Sequence, residues 1–452
     1  MSLKRKMVIK FAKWVSSTSQ KIRGGQGVTL PGYIARKLNP SILTSLSSDV
    51  RKKTFVVLGT NGKTTTNSIL YHALTAEGQK VIINKTGSNM MNGVVSSFVL
   101  ATDKNGELDA DYACIEVDEI ASLTVLPKIK PDYLVLTNIS RDQLDRFGEV
   151  DITFQKLKEA INKTPKMTLL INGDDVLSYT LAKESKHDFI TYGINEQIFD
   201  STSRSEIRES IFCRKCGHKL EYNFFHYGQL GDYHCPHCGL TRPEAAYAAS
   251  NIHLSESGST FDVGDRSFTT GAKAPYNIYN TLAAYAALRI AGLEAPHFEN
   301  MIAHYDYGNN RESVFNIGGT NIQIHLAKNP IGFQQKISLV LKDPNPKDVM
   351  ILINDEYQDG EDVSWLWDVD FQYLADANAN SIIATGKRGY DMRLRLKYED
   401  IPCEVSLDLE NTIRDCIENR TDNLYLIVNY TGLYSTNALL KNLSNDYAGK
   451  ED

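Results

Sequence analysis

The sequence predicts an α/β protein with a central P-loop domain on a parallel sheet, a zinc-ribbon insertion and a smaller α/β C-terminal domain. Three observations support this fold class. A short apolar run ends in a glycine-rich turn that leads into a helix-like segment. Similar apolar runs then alternate with helix-like segments, which is typical of parallel sheets. Two C-x-x-C pairs interrupt that alternation, and the length of 452 residues allows two or three domains.

Net charge, apolar runs and cysteine count argue against several classes of protein. The net charge of -6 argues against a general nucleic-acid binder. No apolar run reaches the length of about 18 residues that a membrane-spanning helix needs. Seven cysteines are too few for a disulfide scaffold in a chain of this length, so a reducing cytoplasm is the expected location.

Residues 1–48 are predicted to form a basic N-terminal segment. They include nine lysines and arginines and no acidic residue, and apolar residues interrupt the first charges at helical spacing. The apolar stretch is too short for a secretory signal. A solvated first helix is the leading interpretation, and a basic amphipathic helix on the inner face of the cell membrane is the alternative.

A phosphate-binding loop is predicted at the start of the central domain, which we expect to span 49–311. Thr54 to Leu58 is typical of a strand, and the turn Gly59 to Thr66 leads into a helix. Glycines let backbone N–H groups converge, and the helix start and a lysine add positive charge, so a polyphosphate is the expected ligand. The residues expected to bind ATP are Thr60, Asn61, Gly62, Lys63, Thr64 and Thr65.

Three further strands are predicted after this loop. They cover Lys80 to Asn84, Asp111 to Val117 and Pro131 to Thr137. Ligands of parallel sheets bind at the carboxyl ends of the strands. Glu116 and the segment Asn138 to Asp145 are expected at that edge, close to the phosphate loop.

A structural zinc site is predicted within an insertion at 205–245. Cys213 and Cys216 form one knuckle and Cys235 and Cys238 form another, with eighteen residues between the two. Four thiolates in this spacing complete a tetrahedron and leave no open position for a substrate. The alternative is a disulfide or redox role.

The loop GTNGKTTT resembles the ATP loop of the Mur ligase family, which joins amines to carboxylates through acyl phosphates. The resemblance implies a Mur-ligase-like central domain. It implies that Glu116 holds magnesium together with Thr64, that Asn280 meets the adenine, and that Arg311 reaches the phosphates. Thr137 to Asp145 is similar to another family segment, with Gln143 where a histidine is usual.

The four cysteines, together with the segment Asn354 to Asp368, are similar to the branch of this family that amidates lipid II. That resemblance implies ATP-dependent conversion of the α-carboxylate of D-glutamate in the lipid II stem peptide to an amide. It implies that ammonia comes from a glutaminase subunit in a heterodimer, that residues 312–452 contact this subunit, and that Asp355 completes its Cys-His pair.

Two other functions stay open at this point. One is an amide ligase of the folylpolyglutamate type, which would need no glutaminase. The other is a nucleic-acid-binding ATPase, because zinc ribbons are common in such proteins. The expected cofactors of this chain are ATP, Mg²⁺ and a structural Zn²⁺.

Overall fold

The computed structural model describes residues 3–23, 28–84, 88–142, 149–198, 210–255, 257–307, 312–419 and 421–451. The chain divides into two compact units. The first contains residues 1–140, 150–202 and 210–307, and the second contains 141–149, 203–209 and 308–452. The predicted limits at 48 and 311 and the insertion at 205–245 stay predictions. Among the described residues, no helix has the length and apolar content needed to cross a bilayer.

The first unit is built on a nine-stranded sheet with helices on its faces. Its elements are α1 (Leu3–Arg23), α2 (Leu30–Leu38), α3 (Ile42–Ser47), β1 (Lys53–Leu58), α4 (Lys63–Ala76), β2 (Val81–Ile83), α5 (Met91–Ala101), β3 (Tyr112–Glu116), α6 (Ser122–Ile129), β4 (Tyr133–Leu136), α7 (Val150–Lys163), β5 (Thr168–Asn172), α8 (Val176–Lys183), β6 (Asp188–Ile194), β7 (Glu221–Tyr227), β8 (Leu230–His234), β9 (Tyr247–Leu254), β10 (Ser259–Val263), β11 (Arg266–Thr270), α9 (Pro275–Ile290) and α10 (Phe298–Ala303).

The strand order is β11-β10-β9-β6-β5-β4-β1-β3-β2, and β7 and β8 form a separate hairpin. β1 lies between β3 and β4 and pairs with both in parallel, so Phe55 is opposite Cys114 on one side and Tyr133 on the other. The pairs β9–β10 and β10–β11 at the far edge are antiparallel. The predicted parallel α/β fold is therefore confirmed, and its four predicted strands are present.

β1 and α4 position the phosphate loop. The last five residues of β1 are buried, as expected for a β-branched and apolar strand inside a parallel sheet. α4 begins directly after the loop and ends just before Gly78, whose φ of 71° suits a residue that closes a helix. α9 is alanine-rich and buried along most of its length, which lets it approach α4 closely.

α1 packs on the first unit through one of its faces. Val8, Ile9 and Ala12 are buried on that face. Arg5 is also buried, where it forms an ion pair with Asp49. The basic N-terminal segment is therefore an integral part of this unit.

The second unit has a six-stranded sheet of order β12-β13-β17-β14-β15-β16. The β12–β13 pair is antiparallel and the other pairs are parallel. Its core is apolar on both faces of β14 and β17, so the predicted buried strand at 348–354 is confirmed. Its elements are β12 (Glu312–Ile317), β13 (Thr320–Leu326), α11 (Pro330–Lys342), β14 (Lys347–Leu352), two 3₁₀ helices (Ser364–Asp368 and Phe371–Asp376), β15 (Ala379–Thr385), α12 (Gly389–Lys397), β16 (Glu404–Val405), α13 (Leu409–Glu418), β17 (Asn423–Val428) and α14 (Tyr430–Glu451).

Candidate functional site

The glycines of the phosphate loop have conformations and surroundings that exclude side chains. Gly59 has φ of 125°, and a Cβ there would lie 2.2 Å from Thr137 Oγ1. Gly62 has φ of 85°, and a Cβ there would lie 2.2 Å from Asn280 Oδ1. Both values fall in the region that favours glycine. The loop can therefore turn tightly between β1 and α4 while neighbouring elements approach its backbone.

The loop is fixed to the segment that follows β4. The N–H of Thr60 donates to the carbonyl of Asn138 at 2.8 Å, and the N–H of Asn61 donates to the Asn138 side chain at 3.1 Å. Thr60 Oγ1 also exchanges hydrogen bonds of 2.9 Å with the backbone of Ser140. Thr137 Oγ1 donates to the carbonyl of Asn61 at 2.7 Å. The sequence prediction that these two segments meet at one sheet edge is confirmed.

Lys63 is buried and forms an ion pair that the sequence analysis did not predict. Its Nζ lies 2.9 Å from Glu119 Oε1, and the side chains are 8% and 3% exposed. The same Nζ donates to the backbone carbonyls of Gly59 and Thr60. The ammonium group is therefore held beneath the loop by a carboxylate, three residues beyond the end of β3.

Thr64 and Glu116 form a pair of oxygen donors beside the loop. Thr64 Oγ1 donates to Glu116 Oε2 at 2.7 Å, and Asn89 Nδ2 donates to Glu116 Oε1 at 3.1 Å. The backbone of Glu116 is in turn bound on both sides by the Asn84 side chain. A buried carboxylate next to a threonine hydroxyl is an oxygen donor set of the kind that suits magnesium. The predicted magnesium ligands are thus brought together.

Glu116→Gln is expected to weaken magnesium-dependent nucleotide binding with little loss of stability. The amide keeps an oxygen for Thr64 and the shape of the side chain, but it removes the negative charge that attracts the cation. The nucleotide affinity in magnesium should fall by about tenfold or more, while the affinity in EDTA should change little. Calorimetric titration in both buffers measures this, and equal loss in both would contradict the assignment.

Asn280 lies against the beginning of α4. Its Oδ1 is 3.3 Å from Thr66 Oγ1, and its Nδ2 donates to Asn277 Oδ1 at 3.2 Å. Gly62 lies beside the same amide, and Thr65 is buried one residue before Thr66. The structure thus brings Asn280 to the phosphate loop, and its contact with adenine stays a prediction.

Arg311, Gln143 and Asp145 lie outside the described residues, so the predicted role of Arg311 stays a prediction. Asp142 is described and belongs to the second unit. Its Oδ2 accepts a hydrogen bond of 2.7 Å from Lys328 Nζ. The Asp142 side chain is 6% exposed and that of Lys328 is 30% exposed, so the carboxylate is shielded from water and the lysine is partly exposed.

The four predicted zinc ligands converge on one point. Their sulfur atoms all lie within 4.8 Å of one another, and all seven cysteines of the chain are free thiols. The sulfur atoms of Cys213 and Cys238 are 3.5 Å apart, and those of Cys216 and Cys235 are also 3.5 Å apart. Zn–S bonds of about 2.3 Å in a tetrahedron place sulfur atoms nearly 4 Å apart, so the donor set fits zinc.

Both knuckles have the same backbone geometry. The N–H of Gly217 donates to the carbonyl of Cys213, and the N–H of Gly239 donates to that of Cys235. The φ values of these glycines are 75° and 70°, which explains why a glycine follows each pair. Hydrogen bonds from the Cys238 N–H and other nearby donors lower the pKa of Cys235, whereas burial raises the pKa of Cys213, so without metal the thiolate is favoured at Cys235 over Cys213.

The hairpin β7–β8 connects the cysteine cluster to the sheet through Gln229 at its tip. Gln229 is fully buried, and its Nε2 donates to the carbonyl of Ile139 at 2.6 Å and to Asp175 Oδ1 at 3.1 Å. Asp175 Oδ2 accepts a hydrogen bond of 2.8 Å from the N–H of Ile139. Burial raises the pKa of Asp175 because water does not reach this carboxylate. The hydrogen bonds from Gln229 and Ile139 act in the opposite direction and stabilise its charged form.

A second buried network ties the hairpin to α9. His226 Nδ1 is 2.7 Å from Tyr279 Oη, and Tyr279 donates to Asp174 Oδ2 at 2.5 Å. Arg242 Nε donates to Asp174 Oδ1 at 2.6 Å. Burial lowers the pKa of His226, whose Nε2 lies 2.8 Å from the carbonyl oxygen of Glu196. The ribbon is therefore packed into the first unit as part of its core.

Asp355 follows β14 at the carboxyl edge of the second sheet, as predicted. Its side chain is 28% exposed, and its Oδ2 lies 3.5 Å from Arg388 Nη1. Arg388 also pairs with Asp391 at 3.0 Å. Asn354, the preceding residue, donates to Thr431 Oγ1 at 3.1 Å, which fixes the backbone at this point. The carboxylate is therefore held at the surface, where a partner could reach it.

Three residues that were not predicted from the sequence hold predicted site residues or segments in place. Glu119 pairs with Lys63, Asn89 binds Glu116, and Gln229 supports the segment after β4. The sequence EVDE at the end of β3 was a signal for Glu119, because one strand end carried several carboxylates. Asn89 and Gln229 had no comparable signal.

Two family models match separate parts of the chain, and a relative matches nearly all of it. The family model of the Mur ligase middle domain matches residues 57–235, and that of the MurT ligase C-terminal domain matches residues 326–433. The chain is 34% identical over 445 residues to the MurT subunit of lipid II isoglutaminyl synthase from Staphylococcus aureus (strain COL), covering 98% of each chain.

Two solved structures have a similar fold. A pseudomurein peptide ligase type C from Methanothermus fervidus has a TM-score of 0.69 at 19% identity, covering 88% of this chain and 80% of that one. The MurF ligase from Thermotoga maritima in complex with ADP has a TM-score of 0.64 at 14% identity, covering 92% and 85%. At these identities the likeness shows the fold alone, and it confirms the Mur-ligase-like α/β architecture.

Proposed function

Since the chain belongs to the MurT family of lipid II isoglutaminyl synthase subunits, we propose that it is the ATP-dependent synthetase that amidates lipid II in peptidoglycan synthesis. The observation that carries this proposal is the 34% identity over 98% of the chain and of its relative. Membership of this family favours amidation over the folylpolyglutamate-type ligase and the nucleic-acid-binding ATPase.

The acid we propose as substrate is the α-carboxylate of D-glutamate in the lipid II stem peptide. A carboxylate oxygen attacks the γ-phosphorus of ATP and ADP leaves, which gives an acyl phosphate. The nitrogen of ammonia then attacks the carbonyl carbon, the C–O bond to phosphate breaks, and the proton that the nitrogen loses goes to the leaving phosphate. The products are the amide, ADP and phosphate, so atoms and charge balance.

The residues around the phosphate loop support the first of these steps. Backbone N–H groups at the start of a helix favour an anion, and we propose that Lys63, the first residue of α4, supplies a positive charge to the same anion. Asn280 and Arg311 are proposed to hold the adenine and the phosphates. The similar MurF ligase was solved with ADP, which supports a nucleotide as the ligand.

Thr64 and Glu116 are the residues that would hold Mg²⁺, and the four cysteines would hold Zn²⁺. When bound, magnesium neutralises charge on the transferred phosphoryl group. Thr64 Oγ1 and Glu116 Oε2 are 2.7 Å apart, so both oxygen atoms are close enough to bind the same cation. The cysteine cluster supplies four ligands of its own, which supports a structural zinc rather than a catalytic one.

The partner is proposed to be a glutaminase that contacts residues 312–452. Exposed aromatic residues on this unit support an interface, because such residues are enriched where proteins bind each other. Tyr357, Tyr390 and Tyr398 are 79%, 63% and 70% exposed, and the ring of Trp367 lies 5.1 Å from that of Tyr398. Asp355 is proposed to orient the histidine of the partner's Cys-His pair.

Asp355→Asn is expected to reduce amidation with glutamine by at least about a hundredfold and to leave amidation with ammonium chloride nearly unchanged. The asparagine amide cannot stabilise the protonated histidine of the partner glutaminase. Glutamine hydrolysis, which supplies the ammonia, should therefore fail, while the synthetase reaction should continue with added ammonium. Mass spectrometry of lipid II stem peptides with each nitrogen source measures this. Asp391→Asn is the matched control, because it removes the other carboxylate paired with Arg388. Equal loss with both nitrogen sources would contradict the role of Asp355.

The overall reaction is tested by purifying the chain with its glutaminase subunit and adding lipid II, glutamine, magnesium and ATP. A mass loss of about 1 Da in the stem peptide, with one ADP formed per amide, is the expected result. Absence of ADP would contradict the proposal. We propose that this reaction takes place in the cytoplasm at the inner face of the membrane, and the reduced thiols support a reducing compartment.

A further inference from the structure

Helix α1 has two apolar faces, and only one of them is covered. Val8, Ile9 and Ala12 point into the first unit and are 7%, 0% and 0% exposed. Met7, Phe11 and Trp14 follow one another at spacings of four and three residues and are 64%, 48% and 62% exposed. Residues at these spacings form one stripe along a helix. We refer to Met7, Phe11 and Trp14 as the outer stripe of α1.

Lysines lie on both sides of the outer stripe. At about 100° of rotation per residue, Lys4 falls on one side of Met7 and Lys10 on the other. Both lysines are exposed. Lys6 lies on the same side as Lys10, with its Nζ 3.9 Å from Glu107 Oε1. Residues 1–48 contain no acidic residue, although the whole chain has a net charge of -6.

We propose that the outer stripe of α1 docks this protein on the surface of an anionic phospholipid bilayer. An apolar stripe with aromatic side chains and lysines at its borders is the arrangement of helices that lie in the plane of a membrane surface. The Phe11 and Trp14 rings are 6.1 Å apart and present one continuous apolar area. Tryptophan favours the boundary between headgroups and acyl chains, and lysines attract anionic headgroups. The inference rests on the proposed function, because it would bring the active chain to a lipid-linked substrate.

Charge complementarity favours a bilayer over a second copy of this chain. Two copies meeting through this stripe would bring their lysine borders together, and like charges repel. An anionic bilayer presents the opposite charge across its whole surface. The inner face of α1 is already packed on the unit, and the helix does not need to refold in order to dock.

The experiment uses the complex of this chain with its glutaminase subunit and vesicles of phosphatidylcholine, with or without phosphatidylglycerol. Flotation with the anionic vesicles, but weak flotation with pure phosphatidylcholine, is expected. The double variant Phe11→Ser/Trp14→Ser should bind the anionic vesicles at least about tenfold more weakly, because it removes two large apolar side chains from the interface. Leu407→Ser is the matched control, because Leu407 is 66% exposed on the second unit.

Tryptophan fluorescence gives an independent readout. The chain has three tryptophans, of which Trp365 is buried and Trp367 is 51% exposed. In a Trp367→Phe variant, Trp14 is the exposed indole, and its emission should shift to shorter wavelength with anionic vesicles. High salt should reverse the shift, because it screens lysines from headgroups.

Activity on lipid II in detergent separates this inference from the proposed function. The double variant should keep that activity and lose activity on lipid II in vesicles. A wild-type complex that amidates in detergent but does not float with anionic vesicles would overturn the docking surface and leave the enzymatic function standing. The docking surface would also be overturned if the double variant floated normally with anionic vesicles. The same conclusion would follow if light scattering showed a changed oligomeric mass or if the double variant lost its glutaminase subunit.

Discussion

Lys63→Met is expected to reduce ATP-dependent amidation by about a thousandfold or more, because it removes the positive charge that we propose acts on the transferred phosphoryl group. The methionine keeps the unbranched shape of the lysine stem and lacks only its terminal ammonium group, so the loop can keep most of its packing. The measurement is ADP release together with the mass of the stem peptide, with either glutamine or ammonium chloride. Unlike Asp355→Asn, this change should abolish activity with both nitrogen sources.

The ion pair with Glu119 provides the control for a structural effect. Removing Lys63 alone leaves a buried carboxylate without this partner, and breaking a buried pair in this way costs about 3–5 kcal/mol of stability. The double variant Lys63→Met/Glu119→Gln removes the buried charge of Glu119 and should recover part of the lost stability in thermal unfolding, while the Gly59 and Thr60 carbonyls still lack the Lys63 Nζ donor. It should remain inactive. Recovery of activity in the double variant would show that Lys63 serves only to neutralise Glu119.

The sequence predicted the elements whose signals are local. β1 and its glycine turn were predictable because a buried strand needs apolar residues and the turn requires positive φ at Gly59 and Gly62. The cysteine cluster was predictable because two ligands of each knuckle lie close in the chain. Thr64 and Glu116 could be paired because both occur where parallel strands end.

The contacts that were not predicted join residues distant in the chain. Gln229 lies ninety positions from Ile139, and its role depends on how the β7–β8 hairpin folds back on the sheet. No periodicity or spacing in the sequence encodes that approach. Lys63 and Glu119 are closer, but their pairing depends on the register of β1 against β3. Side-chain contacts of this kind become visible only once the backbone is in place.

Removal of zinc is expected to unfold the ribbon and to weaken ATP binding as a consequence. Zinc binding in small zinc-dependent domains contributes about 10–16 kcal/mol, which is comparable to the stability of a whole domain. Cys216→Ser should therefore lose the metal, measured by elemental analysis, and expose the hairpin to proteolysis. Because Gln229 supports Ile139, and Ser140 next to it binds Thr60, the KM for ATP should rise as well.

Gln229→Leu tests whether this effect passes through the hairpin tip rather than through general loss of structure. The variant keeps all four cysteines and should keep one zinc per chain. It leaves the buried Ile139 carbonyl without its 2.6 Å donor, which costs about 1–3 kcal/mol of stability. Because the segment that holds Thr60 through Ser140 then loses its fixed position, the KM for ATP should rise by about fivefold, the equivalent of about 1 kcal/mol of binding free energy. Asn223→Leu is the matched control, since Asn223 lies on the same hairpin and is exposed. If Gln229→Leu retains zinc and the wild-type KM for ATP, the hairpin tip does not support the phosphate loop, and any loss in Cys216→Ser has to arise from unfolding alone.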